Sequence, residues 1–403
     1  MANIIRNGLN QILFNTTKNK PIINSKIINP SLQFICNISG KTIRGEASLN
    51  KPKPFPYKEK NYGFLQACFD KTTKRLDENS KIVVVDGPLA AGKSAFAIEL
   101  AKELEMLYIP ETTLDKYYIN PYGFDMRKLD PQLPEYVKSF DVKNFLQNPH
   151  HRNVATFQLR MLILRYSDYV DALAHLLSTG QGVVLDRCVY SDFVFLETMF
   201  KHNYISKGAR SVYYDLVKHT FSEILRPHLV IYLDVPVNIV KERLKKRADP
   251  IEANSKVLTD AYLQDMETIY KQQYLKDIST HAELLIYDWS NYGESEVVVE
   301  DIERIDFDRF DKFDTKMKDW LLNTEWEWNE MRMRFTSEKP DLINYFNIPR
   351  FDVPELIISP EDSKIWEEVW FSAPGMNYKL GYNVDMGDTG ILTKTKQAAR
   401  DSL

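Results

Sequence analysis

The sequence predicts an α/β domain, a parallel sheet with helices on both faces, followed by an aromatic-rich C-terminal extension. Three observations carry that prediction. Four or five short apolar runs alternate with segments of helical period between residues 81 and 290. The runs are continuously apolar rather than alternating, as strands buried on both faces require. The alternation stops near residue 300, and five of the six tryptophans lie beyond it.

Residues 1–45 hold six basic side chains (Arg6, Lys18, Lys20, Lys26, Lys41 and Arg44) and no acid. Such a segment reads as a mitochondrial transit peptide ending near residue 45, or as a basic arm for anionic surfaces. Residues 46–403 carry 46 basic and 56 acidic side chains, an acidic balance that speaks against non-specific nucleic-acid binding. A linker and N-terminal arm occupy 46–80, with an extended Lys51-Pro52-Lys53-Pro54-Phe55-Pro56 run and a helix over 62–77.

The sheet domain is assigned to 81–300. Strands are predicted at 81–86, 107–110, 182–186, 228–233 and 284–287. The intervening helices are placed at 92–106, 153–178, 192–203, 209–225, 236–247 and 257–278. The extension, 301–403, contains Pro340, Pro349, Pro354, Pro360 and Pro374, which break any long helix. With few periodic apolar positions, it either wraps its own domain or docks on a partner. The sheet domain is expected to fold without it. No apolar run reaches the ~20 residues of a membrane-spanning helix. Cys36, Cys68 and Cys188 match neither a disulfide framework nor a zinc site, and no structural metal is expected.

Gly87-Pro88-Leu89-Ala90-Ala91-Gly92-Lys93-Ser94 fits G-x-x-x-x-G-K-[ST] and lies between the first strand and the first helix, the context that gives this P-loop motif its meaning. Backbone N–H groups from Gly87 through Gly92, Ala90 and Ala91 included, would close on phosphate oxygens at the helix N-terminus. Lys93 would reach the β- and γ-phosphates, and the Ser94 hydroxyl would ligate Mg²⁺. ATP, ADP or a deoxynucleotide with Mg²⁺ is therefore expected. No G-x-G-x-x-G follows the first strand, so FAD is not. Glu111 follows the second strand and Arg187 the third, on the edge that parallel strands share with the phosphate loop. Arg187 would stabilise charge on a transferred phosphoryl group.

The order of P-loop, Pro110-Glu111, Phe157-Gln158, Asp186-Arg187-Cys188 and the basic segment 241–247 resembles the deoxynucleoside kinases. The resemblance implies that Glu111 takes the proton from a sugar 5′-hydroxyl and that Gln158 bonds the base. Arg165, seven residues after Gln158, would pair with Asp192 beside the base. Arg243 and Arg247 would face the donor phosphates, and Glu252 would close over the nucleoside. Departures accompany the likeness. The lid Arg247-Ala248-Asp249-Pro250-Ile251-Glu252 puts an acid where the family has a second phosphate-binding arginine, and Lys116 stands where an aromatic residue is expected. The acid-free leader, altered lid and long extension resemble a divergent branch of the family. Its members are accessory subunits of mitochondrial respiratory complex I, held among other complex I subunits on the matrix side of the inner membrane. That likeness implies a nucleotide retained for structural reasons, an active mitochondrial kinase being the alternative.

Overall fold

The computed structural model describes residues 38–41, 51–311 and 313–390. The predicted transit peptide lies outside the described residues except for 38–41. That short piece is part of the fold. Ile38 is fully buried, Ser39 and Asn79 exchange hydrogen bonds of 2.8 Å, and the Lys41 amide donates to Glu103 O at 2.8 Å. Residues 38–41, inside the segment read as a transit peptide, thus pack on the sheet domain.

Five parallel strands form one sheet: β1 (Ile82–Asp86), β2 (Leu107–Ile109), β3 (Val183–Asp186), β4 (Leu229–Asp234) and β5 (Glu283–Asp288), in the order β2-β3-β1-β4-β5. All five predicted strands are present, to within a residue at each end. Central β1 pairs Val84 with Leu185 on one side and with Val230 on the other. Its five residues are all buried, which is why the run carries no polar alternation.

Helices cover both faces. One face packs against α2 (Lys93–Glu103), α6 (Val237–Arg247) and α8 (Ser295–Glu303) through Phe96, Leu100, Val240, Val298 and Ile302. The other packs against α3 (Val154–Thr179), α4 (Asp192–Lys201), α5 (Lys207–Thr220) and α7 (Asp260–Ile269), with the 26-residue α3 at its centre. Two predicted helices change form. The 62–77 segment is helical as α1 (Phe64–Phe69) and as a 3₁₀ turn, Thr73–Arg75, and is broken between them where Asp70 and Thr72 give their polar groups to the C-terminal extension. Helix α7 starts at Asp260 behind a Thr259 cap and continues through a π-turn, Tyr270–Tyr274.

The extension wraps its own domain. Helix α9 (Glu325–Thr336), opened by a Thr324–Glu327 capping box, lies along α3, and α10 (Pro360–Phe371) follows. Phe335, Leu342, Phe346, Val353 and Trp370 are buried in the same core as α3. Arm and extension are also joined by a buried polar network. Asn329 accepts from Tyr62 Oη at 3.0 Å and Thr72 Oγ1 at 2.7 Å. Arg332, fully buried, donates to Asp70 at 2.9 Å and lies 3.7 Å from the Tyr62 ring centre. The extension thus contributes side chains to the core of the sheet domain. Sequence periodicity missed this because the buried residues are spaced irregularly along short, proline-broken segments.

Candidate nucleotide site

The loop after β1 owes its shape to two glycines. Gly87 has φ +152°, and a Cβ there would lie 2.6 Å from Leu233 O. Gly92 has φ +89°, and its Cβ would lie 2.7 Å from the Tyr292 ring. Ala90 between them adopts φ +53°, and Ala91 is fully buried. Helix α2 then begins at Lys93, so its N-terminal amides face the loop. Lys93 is buried and donates to Pro88 O at 3.1 Å. Burial first, then the Arg187 charge, pull its pKa down to about 8.

Carboxylates and arginines from three strand ends meet behind this loop. Ser94 Oγ donates to Asp186 Oδ2, whose pKa burial raises. Arg187 Nε lies 2.9 Å from Glu111 Oε1, and Arg187 Nη1 lies 3.3 Å from Asp86 Oδ1. Burial works against charge on Glu111, but Arg187, Lys93 and Arg165 outweigh it and hold the carboxyl below its ordinary value. Arg187 itself sits at φ +64° and also donates to Tyr270 Oη, which the π-turn presents.

Gln158, Arg165 and Asp192, which the family resemblance grouped, lie together. Gln158 Nε2 donates to Asp192 Oδ2 at 2.8 Å, Arg165 Nη1 donates to Oδ1, and Tyr213 Oη donates to Oδ2 at 2.8 Å. Phe195 lies between two guanidinium groups, those of Arg165 at 4.8 Å and Arg187 at 4.9 Å. Lys116 is bound to Asp168 at 2.6 Å. The cavity bordered by Pro110, Thr112, Arg165, Asp186 and Arg187 measures about 10 Å³, roughly one water molecule.

The lid residues lie apart from this cluster. Arg243 donates to the carbonyls of Ala91 at 3.1 Å and Trp289 at 2.7 Å, so its guanidinium braces the loop. Arg247 and Glu252 pair with each other at 2.9 Å. Asp249 caps the short helix Pro250–Ala253, accepting from Ile251 N at 2.8 Å. That cap gives a local reason for the acid in the lid. Sequence reasoning missed Asp86, Tyr213, Phe195 and Tyr270. Asp86, as the last residue of a recognisable strand beside the loop, was the one with a legible signal.

This sheet order, loop and set of strand-end charges define a nucleoside-kinase-like protein. The family model described as deoxynucleoside kinase matches residues 83–324, and the chain belongs to that family. Among curated proteins it is 38% identical over 336 residues to NADH dehydrogenase [ubiquinone] 1 alpha subcomplex subunit 10, mitochondrial, of Mus musculus, covering 83% of this chain and 90% of that one. The Bos taurus subunit of the same name is 36% identical over 327 residues, covering 81% and 90%. A deoxyguanosine kinase of Dictyostelium discoideum is 27% identical over 236 residues, covering 59% and 73%. A solved deoxyadenosine kinase from M. mycoides with bound dATP aligns at TM-score 0.41 and 18% identity, over 55% of this chain and 98% of its own.

Proposed function

We propose that this chain is a non-catalytic accessory subunit of the mitochondrial respiratory-chain NADH dehydrogenase, complex I, the assembly that passes electrons from NADH to ubiquinone. It supports assembly or stability of that complex from the matrix side, peripheral to the inner membrane, in contact with other complex I subunits. The observation that carries this reading is the extent of the likeness. The subunit-10 relatives match 327 to 336 residues, whereas the kinase relative matches 236. No helix of the described residues is long and apolar enough to cross a membrane.

The P-loop cradle then serves as a nucleotide anchor. Lys93 and the α2 amides bind the phosphates, and binding stabilises the folded chain by mass action. The residues present fit a magnesium ion, because Asp186 Oδ1 and Asp86 Oδ2 are buried without a partner. Ser94 and Asp186 would hold the ion, which supplies charge neutralisation at the phosphates. Arg187 is bound on two sides by Glu111 and Asp86, and Arg243 is committed to loop carbonyls. Both arrangements favour holding over turnover.

One observation favours an active deoxynucleoside kinase instead. Glu111 stands ionised beside Lys93 and Arg187, as a base for a 5′-hydroxyl must. Chemistry would then be in-line transfer of the ATP γ-phosphoryl group, with Arg187 stabilising the charge. Mass analysis of the native protein from mitochondria separates the two readings. The accessory reading expects co-migration with complex I and one nucleotide released unchanged on denaturation. A free protein that phosphorylates deoxynucleosides, with activity lost in Glu111→Gln, would overturn it.

A further inference from the structure

Helix α1 turns its apolar residues outward. Phe64 is 62% exposed, Leu65 71% and Phe69 89%, and only Ala67 of its six residues is buried. Trp326 of α9, 46% exposed, meets Phe64 edge-on at 5.5 Å and extends the patch. Four large apolar side chains gathered in water cost free energy unless something covers them.

The charge around them identifies the cover. The 25 residues from 51 to 75 carry seven basic side chains and two acids, within a chain whose residues 46–403 are acidic overall. Lys53, Lys58, Lys60, Lys71 and Lys74 are all exposed. They have no ion-pair partner among the described residues. Of the two acids, Asp70 is held by Arg75 and Arg332, which leaves Glu59. On α9, Glu325 accepts from the Thr72 and Thr73 amides, Glu327 accepts from its own cap, and Glu330 is exposed. With the α9 carboxylates counted, residues 51–75 and 325–330 together carry seven basic and five acidic side chains, and the patch is aromatic and aliphatic at its centre with a positive excess of two, on the α1 side. Residues 1–45 are themselves basic and acid-free, so like charge disfavours them as its cover.

We infer that α1 and its flanking lysines dock on an anionic lipid surface, with Phe64, Leu65, Phe69 and Trp326 entering the headgroup region and the lysines meeting lipid phosphates. Aromatic side chains are favoured at that depth, and each lysine near an anionic surface strengthens binding about fivefold. This inference stands on the patch alone and does not depend on how the nucleotide site is used.

The test is flotation of the full chain with phosphatidylcholine vesicles, with and without cardiolipin. Because the leader is also basic, the comparison is among chains that share it. The wild-type chain should float with cardiolipin vesicles and not with phosphatidylcholine alone. Phe64→Ser with Phe69→Ser should weaken binding about tenfold or more, and Lys71→Glu with Lys74→Glu at least twentyfold, each with an unchanged melting midpoint. If either pair melts early, Leu65→Ser or Lys58→Glu with Lys60→Glu replaces it. Equal flotation of all variants would overturn the proposal by assigning binding to the leader. Variants that float normally but no longer co-migrate with complex I would also overturn it, marking the patch as a protein contact.

Discussion

The ring of Trp370 lies 5.7 Å from that of Tyr117, joining α10 to the segment that follows β2. Asn120 reinforces the contact by donating to Pro374 O at 2.8 Å, and Asn383 Nδ2 donates to Tyr122 Oη at 3.2 Å. The extension therefore fixes the segment that follows β2. Trp370→Ala should lower unfolding free energy by about 3 kcal/mol. A urea midpoint matching wild type would show that the extension adds nothing to the core.

Lys93 links nucleotide binding to pH. Its pKa is pulled down to about 8 in the ligand-free chain, and a bound phosphate would raise it again. Binding should take up a proton at pH above 8, and affinity should fall as pH rises through that value. In the free chain the sign reverses. The unfolded state holds more protons, so this group adds stability as pH climbs from about 8 toward its ordinary 10.5. Calorimetric titration in two buffers of different ionisation enthalpy measures the uptake. Lys93→Ala should abolish both the uptake and nucleotide retention.

Asp249 carries a prediction that its sequence position alone reverses. Replacing it by the family's arginine would seem to repair the lid. In the structure its carboxylate caps a short helix, so Asp249→Arg should cost about 1 kcal/mol and confer no kinase activity. Asp249→Asn, which keeps a capping oxygen, should retain the stability. A thermal melt of each variant, run beside a phosphorylation assay, distinguishes the outcomes.

Arg332 is fully buried against Asp70 and the rings of Phe55 and Tyr62. Arg332→Ala removes that ion pair and both ring contacts, and should destabilise by about 3 kcal/mol. Limited proteolysis should then cut first within residues 51–75. Unaltered cleavage would mean that the arm is held by other contacts.

The sheet was legible because its three central strands are buried on both faces and therefore apolar almost without interruption, as in Val83, Val84 and Val85. The phosphate loop was legible because its geometry demands glycine at two positions and a lysine at the helix start. Gln158, Arg165 and Asp192 could be gathered only through the family resemblance, since 34 residues separate the first from the last. The carbonyl contacts of Arg243 were not legible, because a basic residue on a lid helix looks the same in sequence whether it meets phosphate or backbone carbonyls. The π-turn that delivers Tyr270 to Arg187 left no trace in the periodicity, because one extra residue in a turn barely shifts an apolar stripe.

The arm–extension network sets an order of events for the nascent chain. Tyr62 and Thr72 are made early, while Asn329, which satisfies both, follows some 260 residues later. An N-terminal segment synthesised first is thus among the last to settle; until then Tyr62 Oη has Asp70 O within the arm, and Thr72 Oγ1 depends on water. Contacts of such long range slow folding, because the loop they close must be formed before they contribute. A chain stopped short of residue 329 would leave the arm without its partner, so folding finishes only after nearly the whole polypeptide is available.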